Sequence, residues 1–208
     1  MVEARLHDIG ATLPGHYGAD AIGTVISEVT IAAAWNVQGD PARSSVVADA
    51  ERLLGVSLPV EPNTACRAQS LLALWMGPRS WLLIEGGLSG RPAVLVNFDA
   101  KRDALNVGGG ALFDVSASRV AFTIRGTRAE STLARSCPLD FDSRVFLPGH
   151  CAQGVFGRVS ALYYRHESTL GFTVMVSRSL ATDVWRVLCV SAASDGYDVV
   201  LSAAFDAA

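Results

Sequence analysis

The chain has 208 residues, 50% of them hydrophobic and 18% charged, with a formal net charge of −3 at pH 7. Its 17 basic residues include a single lysine, Lys101, and the arginines are scattered, so the basic stripe of a nucleic-acid binder is missing. No run of about 20 apolar residues is present to cross a bilayer, and so low a charge content leaves apolar surface over for a partner protein.

Residues 1–27 carry Gly10, Gly15, Gly18 and Gly23 without periodicity and read as an N-terminal arm. Glu3, Arg5 and Asp8 stand where a secretory signal would be apolar, which points to the cytoplasm. A β-rich stretch over 29–37 ends at Gly39. Asp40 then suits an N-cap and Pro41 a first helical residue, predicting a helix to Leu54 stopped by Gly55. Strands follow over 66–76 and 81–85, turned by residues 77–80. A second helix is expected from Pro92 to the triple glycine 108–110, and a strand over 111–115 closes the first half.

The same order then recurs. A strand over 119–124 ends at Gly126, Thr127 is positioned to cap a helix to Ser136, and Cys137-Pro138 stops it. Strands over 155–164 and 171–176, a helix capped by Ser179, and a last strand over 197–205 complete it. Equivalent landmarks lie at even offsets, such as Gly39 with Gly126 and Trp81 with Phe172. The expected class is therefore α+β, with two ferredoxin-like βαββαβ halves (28–116 and 117–208) behind the arm, packed as one pseudo-symmetric body.

No catalytic, cofactor-binding or metal site emerges from this pattern. The glycines of 15–24 lack the lysine of a phosphate-binding loop, and glycines 108–110 precede a strand instead of following one. His7, His16, His150 and His166 form no metal-ligand spacing. His150 and Cys151 are adjacent and point to opposite faces of an extended segment. Asp140 and Asp142 flank Phe141 in a segment that reads as a solvated loop. Cys66, Cys137, Cys151 and Cys189 have no paired spacing and read as free thiols; a redox role for Cys137 and Cys151 is weakened because a helix C-terminus opposes a thiolate. Trp75 and Trp81 flank a hairpin turn beside Met76, a composition suited equally to an interface anchor and to the core.

The stretches MGPRSWLL (76–83), FDVSASRVAFTIRG (113–126), LARSCPLDF (133–141), FLPGHCAQGVFGRV (146–159) and VSRSLATDVWRVL (176–188) resemble the gamma subunits of heterotetrameric sarcosine oxidases. The resemblance spans roughly residues 28–190. It implies the fold of the folate-binding aminomethyltransferases and a non-catalytic chain that stabilises large flavoprotein subunits. The implied partners are alpha, beta and delta subunits, alpha the most direct. FAD, FMN, NAD, tetrahydrofolate and zinc are implied in those subunits and no cofactor in this chain. The implied reaction demethylates sarcosine, or a related N-methyl amine, to the amine, hydrogen peroxide and methylene-tetrahydrofolate. Together with the hairpin residues Trp75, Met76 and Trp81, the matched stretches add Cys137, Pro138, Asp140, Phe146 and Arg178 as interface candidates. The alternative is a stand-alone folate-binding, aminomethyltransferase-like protein.

Overall fold

The computed structural model describes residues 13–86, 96–201 and, for their backbone, 203–204. The chain divides into two compact units. One holds Thr30–Ala117 with Gly149–Cys151, and the other holds residues up to Val29 with Ser118–Pro148 and the chain from Ala152 onward. The class is α+β and rich in strand.

The unit built on Thr30–Ala117 contains most of the long strand β2 (Thr24–Gly39), helix α1 (Val46–Leu54), strands β3 (Ala65–Ala68), β4 (Leu71–Gly77) and β5 (Ser80–Gly86), helix α2 (Phe98–Val107) and strand β6 (Gly110–Asp114). (β1, Gly15–Tyr17, belongs to the other unit.) The strands run β6-β2-β5-β4-β3, each antiparallel to its neighbour. Alternation on the strands sends Trp35, Val37, Leu71, Ala73, Trp81 and Leu83 to one face. There they pack with Val46, Ala50 and Leu54, one stripe of α1, and with Leu105 of α2.

The other unit holds β1, the start of β2, β7 (Arg119–Arg125), α3 (Ala129–Ala134), β8 (Cys151–Phe156) from its second residue on, β9 (Val159–Arg165), β10 (Gly171–Ser177), α4 (Ala181–Ala192), β11 (Tyr197–Val199) and β12 (Ala203–Ala204). Its order is β8-β9-β10-β7-β2-β11-β1. β11 runs parallel to β2, whereas β7, β9 and β10 pair antiparallel. Val120, Phe122 and Ile124 of β7 meet Val184, Trp185 and Leu188 of α4 in its core, with Phe122 and Trp185 rings 5.6 Å apart.

Several expected elements are redrawn. The first helix begins at Val46 instead of at Pro41. The Asp40 carboxylate accepts the Ala42 N–H, the Asp40 carbonyl accepts those of Arg43 and Ser44, and Ser45 donates to Gly108, so the chain turns before it coils. Gly55 does end that helix, in the left-handed region at φ 78°. Strand 66–76 is a hairpin, β3 and β4, turned at Gln69 (φ 53°). Strand 155–164 breaks at Gly157 (φ 61°) into β8 and β9. The Pro92 start of the second helix lies outside the described residues, and the described helix opens at Phe98 behind left-handed Asn97. Neither Thr127 nor Ser179 caps a helix with its side chain: Ala129 N–H bonds the Gly126 carbonyl, and a 3₁₀ turn at Arg178–Leu180 leads into α4. The last strand is two pieces, β11 and β12.

The two halves also differ in pairing. In the first, the closing strand β6 lies beside the opening strand β2. In the second, the closing strand β11 lies beside β2 and not beside β7. A strand has two edges, and those of β7 are taken by β10 and by residues 25–29 of β2.

Candidate functional site

The β4–β5 hairpin sets Trp75 directly across from Trp81, with a bulge between Trp75 and Gly77. Trp81 points inward, is 1% exposed, and donates its indole N–H to the Pro59 carbonyl at 2.7 Å. Trp75 and Met76 are half-buried. The Trp75 carbonyl accepts the Cys151 thiol (3.6 Å), as does that of Thr64 (3.3 Å). Burial pushes this thiol up to about 11. A thiol so held is a packing group at neutral pH, which removes the nucleophile that a redox role for Cys151 requires.

The segment after α3 is built by its carboxylates. Asp140 accepts the Asp142 N–H, and Asp142 accepts the Arg144 N–H and pairs with its guanidinium at 2.8 Å. Those bonds hold the Asp142 carboxyl well below the usual carboxylate range. Both groups therefore serve as turn acceptors. This folded loop drops Phe141 and Phe146 into the core against Phe172, with ring centroids 5.3 and 5.9 Å away. Cys137 is buried among the same residues.

The interface candidates thus sort by burial. Trp81, Cys137 and Phe146 are internal, and their side chains fill the cores. Trp75 and Met76 are partly accessible, and Pro138, Asp140 and Arg178 are exposed or half-exposed. Arg178 donates to the Arg119 carbonyl at 3.2 Å. The structure gathers Trp75, Met76 and Trp81 on one hairpin of one unit, and Cys137, Pro138, Asp140 and Phe146 on one loop of the other.

Two buried polar groups escaped the sequence reading. Arg165, with 6% of its side chain exposed, pairs with Glu130 at 3.0 Å, donates to the Phe141 carbonyl and lies 5.2 Å above the Phe172 ring. His166 sits between the Thr169 and Thr173 hydroxyls at 3.0 and 2.8 Å. The local signal is an Arg-His pair ending an apolar strand; Glu130 and Phe141, which hold Arg165, lie far along the chain, whereas the Thr169 and Thr173 partners of His166 are close by and carry no pattern that marks them. Among the described residues no three His, Cys, Asp or Glu side chains stand together as a metal-binding group. No described helix is long and apolar enough to cross a membrane.

The strand order and paired cores place this chain among proteins with the aminomethyltransferase-like fold. A chain of the heterotetrameric sarcosine oxidase from Corynebacterium sp. U-96, solved with pyrrole 2-carboxylate, superposes with a TM-score of 0.75 at 23% identity, over 86% of this chain and 88% of that one. Glycine cleavage system aminomethyltransferase T from Bartonella henselae superposes at 0.55 with 12% identity, over 88% of this chain and 48% of that one. At the level of sequence, the sarcosine oxidase subunit gamma of Arthrobacter sp is 29% identical over 149 residues, 71% of this chain and 70% of the relative. The profile of the sarcosine oxidase, gamma subunit family matches residues 38–194, and the chain belongs to that family.

Proposed function

We propose that this chain is the gamma subunit of a heterotetrameric sarcosine oxidase, a docking and stabilising chain without an active site of its own. The family match over residues 38–194 carries this reading. The likeness to a chain of a heterotetrameric sarcosine oxidase over 88% of that chain supports it. The stand-alone aminomethyltransferase alternative is not favoured, because the likeness to that enzyme is weaker, with a TM-score of 0.55 at 12% identity.

In this reading alpha, beta and delta subunits supply the chemistry on sarcosine or a related N-methyl amine. FAD, FMN, NAD, tetrahydrofolate and zinc reside in those subunits, and alpha is the direct neighbour. The accessible candidates Trp75, Met76, Pro138, Asp140 and Arg178 form the contact set, since aromatic, Met and Arg side chains are favoured at interface centres. Free cysteines at 66, 137, 151 and 189 favour the cytoplasm as its compartment. We also read the halves 28–116 and 117–208 behind the arm 1–27 as copies of one βαββαβ unit. The pairing β6-β2-β5-β4 in the first and the element order β7-α3-β9-β10-α4-β11 in the second support that duplication.

Affinity purification of the tagged chain from its native cells tests the assignment. Flavin-bearing subunits and hydrogen peroxide formation from an N-methyl amine are expected to travel with it. Elution of the chain by itself from cells that oxidise sarcosine overturns it.

A further inference from the structure

We draw no further inference here: the strongest candidate, the solvent-facing side of helix α4, where Val190 is 78% exposed one turn on from half-buried Val187 and exposed Arg186, carries nothing because nothing in the structure shows what covers it.

Discussion

His16 is bound through both ring nitrogens to groups that can only accept. Nδ1 lies 2.7 Å from an Asp198 carboxylate oxygen and Nε2 lies 2.8 Å from the Ala19 carbonyl. Satisfying both requires two ring protons, the imidazolium form. The Asp198 hydrogen bond, then the Ala19 carbonyl and the nearby negative charges of Asp198 and Asp20 raise its pKa above the ordinary 6.5. Because the folded value is the higher one, the contribution is fully present below about 6.5 and is lost as pH rises through the folded value. An NMR titration of the His16 ring should show the raised midpoint, and Asp198→Asn should return it toward normal. Exchange of the β1 amides should quicken above that midpoint, beyond the intrinsic rise with pH. An unshifted midpoint in the wild type would remove this pairing from the account. None of it was legible in the sequence, since the two partners are 182 residues apart. The opposite holds for Gly55, whose role as a helix stop follows from its lack of a Cβ and was readable in place.

Elements were legible where a local signal fixes them and lost where a long-range bond overrides it. The stripe Val46, Ala50, Leu54 and the turn at residues 77–80 are local, and both survive. The early helix start at Pro41 fails because Ser45 donates its backbone N–H to Gly108, 63 residues away. The hairpin between β3 and β4 was missed because its turn uses Gln69 in the left-handed region, where glycine or asparagine is the readable signal. That placement makes a prediction. A non-glycine residue at φ 53° carries a steric penalty, offset in part by the lower entropy of its unfolded chain. Gln69→Gly should therefore stabilise by up to about 1 kcal/mol, raising the melting temperature by about 2–4 °C. A lower melting temperature would mean that the Gln69 side chain contributes more than its backbone costs.

At the scale of the whole molecule, the composition and the surface agree. With 18% of residues charged, the chain leaves Val107 91%, Val190 78%, Leu201 71%, Leu170 69% and Leu13 66% exposed, together with Phe113 at 50%. Single exposed apolar residues are ordinary, but so many on a chain this poor in charge describe a surface that other proteins finish. A chain of the gamma subunit family has other subunits for such a surface to meet. The expected consequence is self-association of the isolated chain. Sedimentation velocity across a hundredfold concentration range should show a rising weight-average mass when the chain is expressed alone. Co-expression with the other subunits of its complex should abolish that rise and place the chain in one larger species of fixed stoichiometry. A chain that stays monomeric throughout would mean that its apolar surface is dispersed, with no one patch large enough to hold two copies together.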